Sequence, residues 1–254
     1  MRHAQRSGAA RGRMRPAMVR LRRRATPTRA SVSPPAVESR PRFHHDLEAL
    51  EEQMRDMADC ARRALELSIQ ALVESDAALA ASVIAGDDDI DRRYQEIEGR
   101  AIDLMGLQQP VASDLRLLVA LIHVALHLER IGDVAVDVGE ATQSAASLSP
   151  MPEVLHRLQD MGRAAASMTD TAVEAFTRRD RQMCERLPEL DDRIDQLDQE
   201  MASQVLTGPH DTERLEWALR MLPVSRSLER AADHAVDIAE QAWFLMTGEL
   251  RELD

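Results

Sequence analysis

Two acidic stretches, a hundred residues apart, carry carboxylates at the same spacing. One runs from Glu129 to Glu140 and the other from Glu229 to Glu240, each with acids at its first, fifth, ninth and twelfth positions. On an α-helix these positions fall within an arc of roughly 80°, so each stretch presents a stripe of carboxylates. Like charges four residues apart destabilise a helix by about 0.2–0.5 kcal/mol per pair. A stripe that occurs twice despite this cost suggests that the carboxylates hold cations, although a solvated acidic face is the alternative.

A second pair of acids precedes each stripe, on the helix that we expect just before it. Asp87 and Asp91 lie one helical turn apart, and Asp191 and Asp195 repeat this spacing. Two neighbouring helices with such pairs can offer oxygen-rich ligands to a shared groove, which suits Mg²⁺, Mn²⁺, iron or Zn²⁺. The alternative is a group of acids near a helix N-terminus or loop, favoured by the helix dipole, because a glycine or proline shortly precedes each pair.

Basic residues and histidines accompany the acids. Arg130 and Arg230 each follow the first acid of a stripe and are expected to pair with neighbouring acids. His234 adjoins an acid of the second stripe and is a candidate ligand or hydrogen-bond donor. His123 and His127 have a spacing that can bind Zn²⁺, but they have no equivalent in the second stretch. We therefore interpret them as core or surface residues.

Helical periodicity accounts for the chain from residue 44 onward, with breaks at glycine and proline. Aromatic residues make up only 2 % of the chain, which favours helices packed through aliphatic side chains. The pattern predicts six long helices, at about residues 46–74, 77–105, 112–145, 153–178, 181–206 and 211–246.

The second half of the chain repeats the first. Segment 71–76 recurs at 175–180, and the acid pairs and the stripes recur with it. An internal repeat of this length indicates two similar helical units. The sequence therefore predicts an all-α fold, a tandem duplication of a three-helix bundle, with a first bundle at 43–148 and a second at 153–248.

Charge divides the chain into two parts. Residues 1–42 contain twelve arginines and one acid, whereas the other 212 residues carry 20 arginines and 43 acids. The acidic part disfavours nucleic acid as a partner. The longest apolar run is too short to span a bilayer, so we expect a soluble chain that meets a membrane only peripherally.

The basic segment 1–42 is rich in Arg, Ala, Ser and Pro and has no apolar periodicity. A disordered arm, a mis-assigned start and a targeting peptide are the competing interpretations. A secretory signal is disfavoured because a continuous apolar region is missing. We interpret the segment as a disordered or artefactual extension and assign it no function.

These motifs resemble the PhoU family of phosphate transport accessory proteins. The resemblance rests on the paired E-R-x-x-D-x-x-x-D-x-x-E stretches, the D-x-x-I-D segments and the lead-in 110–119, and it covers residues 44–246. It implies two symmetric three-helix bundles that bind multinuclear metal clusters on their surface. Iron is the metal that the resemblance favours, with manganese, zinc and magnesium as alternatives.

The resemblance also implies the ligands of two metal clusters. They are Asp87, Asp91, Glu129 and Asp133 for the first, and Asp191, Asp195, Glu229 and Asp233 for the second. Asp137, Asp237 and His234 are weaker candidates. Val134 stands where the family often has a histidine, and Pro223 is expected to kink the last helix before its motif. We therefore expect the second site to differ from the first in geometry or occupancy.

The function that the resemblance implies is regulatory. Members couple a phosphate ABC transporter, through its ATPase component, to a sensor histidine kinase, and they repress the phosphate-starvation response when phosphate is ample. We therefore expect a non-enzymatic, metal-binding, homodimeric protein of the cytoplasm, peripheral to the inner face of the plasma membrane. The alternatives are a metal-dependent hydrolase with a polynuclear carboxylate site and a purely structural helical adaptor.

Overall fold

The computed structural model describes residues 41–207 and 211–253. The described part of the chain contains six long helices and confirms the all-α prediction. They are α1 (Pro41–Glu74), α2 (Ala77–Gln108), α3 (Ser113–Ser144), α4 (Pro152–Arg178), α5 (Arg181–Thr207) and α6 (Thr212–Thr247). The predicted basic extension lies outside the described residues, except for residues 41 and 42, which begin α1.

Aspartates begin equivalent helices in the two halves. The Asp76 carboxylate accepts hydrogen bonds from the backbone N–H groups of residues 78 and 79, both at 2.9 Å, at the start of α2. Asp180 accepts from residues 182 and 183, at 2.9 and 3.3 Å, at the start of α5. These bonds satisfy N–H groups that have no partner inside the helix. The repeated segments 71–76 and 175–180 are therefore equivalent helix-to-helix turns.

The helices α3 and α6 lie at the centre of the fold. Helix α3 packs against α1, α2 and α6, while α6 packs against α3, α4 and α5. On α3, the apolar residues Leu118, Leu121, Val124 and Leu128 are fully buried, as expected for a helix that is apolar on several faces. The two three-helix halves therefore join through α3 and α6, with a further contact between α1 and α4.

The acid pairs lie inside helices and not beside their ends. Gly86 is an interior residue of α2, and Pro188 is an interior residue of α5. Asp87 and Asp191 are consequently almost three turns from the helix start, whereas the helix dipole acts mainly within the first turn. The helix-terminus interpretation of these acids is therefore wrong.

Helix α6 is continuous across Pro223, the residue at which the sequence predicted a kink.

In the described part of the chain, none of the helices combines the length and the apolar character that a bilayer span needs.

Candidate metal centres

The first carboxylate cluster, Asp87, Asp91, Glu129 and Asp133, forms where α2 packs against α3. Gly132 allows the two helices to approach closely, since a Cβ atom there would lie 3.1 Å from the Oδ1 atom of Asp87. Burial and then the negative charges of Asp91 and Asp133 raise the pKa of Asp87 to about 6. The predicted ligands of the first site are therefore brought together.

Arg130 partly neutralises this first cluster. Its guanidinium lies 2.9 Å from the Asp133 carboxylate and 3.3 Å from Glu129 Oε2, as the sequence predicted for a structural arginine. Burial, followed by the charge of Asp133, still raises the pKa of Glu129. The buried Glu129 Oε2 accepts no hydrogen bond from the described residues.

The second carboxylate cluster, Asp191, Asp195, Glu229 and Asp233, forms in the same way between α5 and α6. Burial and then the charges of Asp233, Asp195 and Glu229 raise the pKa of Asp191 to about 7. The Oδ1 atoms of Asp191 and Asp195 are both buried, and neither has a hydrogen-bond partner among the described side chains and backbone. A buried oxygen of this kind is costly unless a proton or a cation satisfies it.

A fifth carboxylate, Asp198, adjoins the second cluster and was missed from the sequence. The hydroxyl of Ser225 donates a hydrogen bond to Asp198 at 2.7 Å, and the charge of Asp198 helps to raise the pKa of Glu229, after burial and the nearer acids. Asp198 lies one helical turn after Asp195, which is the signal that could have identified it. The first half has Tyr94 at the equivalent position, so the duplication did not point to it.

Both clusters fit hard cations in the chemistry of their donors. Each offers carboxylate oxygens from two packed helices, together with at least one buried oxygen that accepts no hydrogen bond from the described residues. Neither cluster is closed around a single ion. In the described part of the chain, the one group of three side chains whose ligand atoms all lie within 4.8 Å of one another is His127, His234 and Asp237.

The weaker candidate Asp137 lies apart from the first cluster, at the contact between the two halves. It accepts hydrogen bonds from Ser227 at 2.8 Å and from Arg230 at 2.9 Å, both on α6. Arg230 therefore pairs with an acid, as predicted, but the acid belongs to the other half of the chain.

The other two weaker candidates, His234 and Asp237, meet His127 at the same contact between α3 and α6. The distance from His127 Nδ1 is 3.3 Å to His234 Nδ1 and 3.2 Å to Asp237 Oδ2. The interpretation of His127 as a simple core or surface residue missed this group, because its partners lie in the other half. Burial lowers the pKa of His127 to about 4, so its imidazole is uncharged at neutral pH.

Fold and site together define a class: a duplicated all-α bundle in which each half presents a carboxylate cluster between its second and third helices. The family model of the PhoU domain matches residues 54–142 and again residues 158–242. The chain belongs to the PhoU family, which confirms the resemblance that the motifs suggested.

Individual relatives agree with this membership. A PhoU homologue of Caulobacter vibrioides is 30% identical over 211 residues, covering 82% of this chain and 90% of the relative. PhoU homologue 1 of Mycobacterium leprae is 32% identical over 213 residues, covering 84% and 96%. Both are named phosphate-specific transport system accessory proteins.

The fold also agrees with a solved structure of the family. The crystal structure of PhoU from Pseudomonas aeruginosa superposes with a TM-score of 0.75 and 26% sequence identity, covering 82% of this chain and all of the other. The prediction of a PhoU-like helical bundle is therefore confirmed.

Proposed function

We propose that this chain is an accessory regulator of phosphate uptake and of phosphate-starvation signalling. The names of its relatives support the proposal, because they are accessory proteins of the phosphate-specific transport system. A structural relative from Streptococcus pneumoniae, with a TM-score of 0.75 and 25% identity over 83% of this chain, is described as a regulatory protein of phosphate transport.

The proposal includes cation binding at both carboxylate clusters. The observation that carries it is the recurrence, in both matched PhoU domains, of facing acids with buried oxygens that accept no hydrogen bond from the described residues. Asp87 and Asp191 would hold cations together with the acids of the adjoining helices. Bound cations, with iron first and manganese, zinc or magnesium as alternatives, would neutralise the repelling charges and hold α2 to α3 and α5 to α6.

The mode of action in this proposal is contact and not turnover. The partners are the ATPase component of a phosphate ABC transporter and a sensor histidine kinase, and the chain acts as a homodimer at the cytoplasmic face of the membrane. When phosphate is ample, its contacts repress the starvation response. The names of the relatives support the link to the transporter, whereas the kinase, the homodimer and the membrane face are what membership of the family implies.

Deletion of the gene tests the regulatory role. In phosphate-rich medium, the deletion strain is expected to produce alkaline phosphatase, because repression is lost, and the wild-type gene is expected to restore repression. Phosphatase that stays repressed after deletion would count against the regulator and leave the hydrolase and adaptor alternatives.

Complementation with variants tests the role of the clusters. The fourfold variant D87N/D91N/D191N/D195N is expected to leave phosphatase derepressed. The control variant D103N/E189Q alters exposed acids on the same two helices and is expected to restore repression. Full repression by the fourfold variant, produced at wild-type level, would contradict a role for bound cations.

A further inference from the structure

Three ligand atoms from the two halves of the chain meet at the contact between α3 and α6. They are Nδ1 of His127, Nδ1 of His234 and Oδ2 of Asp237, which we call the histidine group. The three separations are nearly equal, 3.3 Å between the two nitrogens, 3.2 Å from His127 to Asp237 and 3.3 Å from His234 to Asp237. The three atoms therefore form an almost equilateral triangle.

Hydrogen bonds cannot satisfy all three sides of this triangle. If both imidazoles carry their proton on Nδ1, both donate to Asp237 and the two N–H groups repel each other. If only one carries it, the other nitrogen directs a lone pair at the carboxylate oxygen, which is also repulsive. A cation in contact with all three atoms removes both conflicts, since each atom then presents a lone pair to it.

The size of the triangle matches a particular coordination geometry. Tetrahedral Zn²⁺ binds imidazole nitrogen and carboxylate oxygen at about 2.0–2.1 Å, which places neighbouring ligand atoms about 3.3 Å apart. Two histidines and one carboxylate also form a common ligand set of zinc sites that keep a fourth position for water. The observed separations therefore correspond to one face of such a tetrahedron.

Burial and access are compatible with a bound ion. The exposed fractions of the side chains are 17% for His127, 25% for His234 and 40% for Asp237, so the group is enclosed on the protein side and reachable from solvent. His234 also lines a cavity of about 290 Å³ together with Asp133 and Asp137.

We propose that the histidine group is a third cation site, separate from the carboxylate clusters, which holds one Zn²⁺ ion and joins the two halves of the chain. The site is not duplicated. In the other half, Ser227 stands in place of His127 and Val134 in place of His234, and Asp137 pairs with Ser227 and Arg230. The two halves, as far as the structure describes them, therefore hold one such site and not two.

Co²⁺ and Zn²⁺ binding by the full chain tests the proposal. The protein is purified without a histidine tag, stripped of metal and titrated with Co²⁺, whose visible absorption reports four-coordinate binding, and then with Zn²⁺. The variant H127S/H234V introduces the residues that the other half carries at these positions. We expect it to lose one equivalent of Zn²⁺ and the Co²⁺ band, with affinity at this site at least about 100-fold lower, because direct ligands are removed.

Two controls separate this site from other histidines and from the carboxylate clusters. H123A changes an exposed histidine one turn before His127 and is expected to keep the equivalent and the band. D87N/D91N/D191N/D195N is expected to keep the Co²⁺ band even if it loses cations elsewhere. The measurement of Co²⁺ and Zn²⁺ binding at the histidine group thus does not depend on whether the proposed regulatory function holds.

The variant D237N makes the test decisive if the histidine variant does not fold. It keeps the shape of the side chain and removes the anionic ligand, and metal-free circular dichroism verifies that it is folded. Loss of the band in folded D237N supports the site. Retention of the same band and the same Zn²⁺ equivalent in folded D237N or H127S/H234V would overturn the proposal.

Discussion

The two carboxylate clusters consist of equivalent acids on equivalent helices, but they differ in how arginines neutralise their charge. In the first half, Arg130 stays on its own helix and lies 2.9 Å from Asp133. In the second half, the equivalent Arg230 leaves its cluster and pairs across the contact between halves with Asp137, also at 2.9 Å. Beside the second cluster, Arg226 approaches Asp198 to 3.9 Å.

The cause of this difference lies in the other residues at the α3–α6 contact. Asp137 accepts hydrogen bonds from Ser227 and from Arg230. Its equivalent, Asp237, is already in contact with His127 and His234, so Arg130 remains with its own cluster. Burial first, and then the charges of the neighbouring acids, raise the pKa of Asp191 to about 7 and that of Asp87 to about 6.

The largest expected effect comes from removing the acid pair of one cluster at a time. D191N/D195N is expected to lower Mn²⁺ affinity at the second cluster at least about 100-fold, because two proposed ligands lose their charge. D87N/D91N is expected to remove the weaker binding phase instead, since Arg130 already offsets part of the first cluster. Isothermal titration of metal-free protein with Mn²⁺ measures both.

D103N/E189Q is the matched control, since it removes the same kind of charge from exposed positions on the same helices. If D191N/D195N weakens Mn²⁺ binding no more than this control, the second cluster is not a cation site. If the two pair variants remove the same phase, the clusters do not differ.

The pH dependence of metal-free stability is the next effect. The pKa of Asp191 is raised from 3.8 to about 7 in the folded chain, so the folded state binds more protons than the unfolded state between these values. The contribution of Asp191 to stability is therefore fully present below about pH 4 and is lost as pH rises through 7. We expect a loss of roughly 1–2 kcal/mol in the free energy of unfolding, because solvent screens a half-buried carboxylate.

Urea unfolding at several pH values measures this loss. In D191N most of the decrease between pH 6 and 7 is expected to disappear, whereas in D87N most of it remains, because Asp87, with a pKa of about 6, has lost a large part of its proton by pH 6. A D191N protein with the same decrease as the wild type would show that Asp191 does not titrate in this range.

Removing the arginine that neutralises the first cluster is expected to have a smaller effect on Mn²⁺ affinity. R130A removes the cation that lies 2.9 Å from Asp133, so the first cluster becomes as poorly neutralised as the second. We expect its Mn²⁺ affinity to rise about three- to tenfold, in line with the loss of one half-exposed opposing charge. Mn²⁺ titration measures the change.

R230A is the internal control for this prediction, because Arg230 already lies outside its cluster. It is expected to leave Mn²⁺ binding at the second cluster within about twofold of wild type. An equal rise in affinity in both variants would mean that the position of the arginine does not explain the difference.

The six helices and the positions of the two carboxylate clusters were predictable from sequence, because both depend on local patterns. Apolar periodicity gave the six helices, and acids one turn apart on neighbouring helices gave both clusters. The charge balance was not predictable, because it depends on contacts between distant residues. Arg230 reaches Asp137 over 93 positions, and His127 reaches His234 over 107.

The duplication itself helped in one respect and misled in another. The eight cluster acids were selected as candidate ligands because each has an equivalent acid in the other half. His127 was set aside because its equivalent is Ser227, and Asp198 was not singled out because its equivalent is Tyr94. Where a duplicated protein differs between its halves, a missing equivalent is therefore no argument against a functional residue.

The smallest predicted effect concerns a glycine that only the first half carries. Gly132 faces α2, whereas the second half has Ala232 at the equivalent position. In G132A the new Cβ atom would lie 3.1 Å from Asp87 Oδ1 and 3.1 Å from the side chain of buried Ile90, so Asp87 must shift by a few tenths of an ångström. We expect Mn²⁺ affinity at the first cluster to fall about two- to threefold, with the second cluster unchanged.

G99A is the control, because a Cβ atom at Gly99 of α2 would have no described atom within 4 Å. It is expected to raise the free energy of unfolding by up to about 1 kcal/mol through helix propensity alone and to leave Mn²⁺ binding unchanged. In G132A the same propensity gain is offset by crowding against Ile90, so its stability gain should be smaller. If G132A and G99A match in both measurements, the close approach of α2 to α3 does not position Asp87, and the glycine does not contribute to the difference between the clusters.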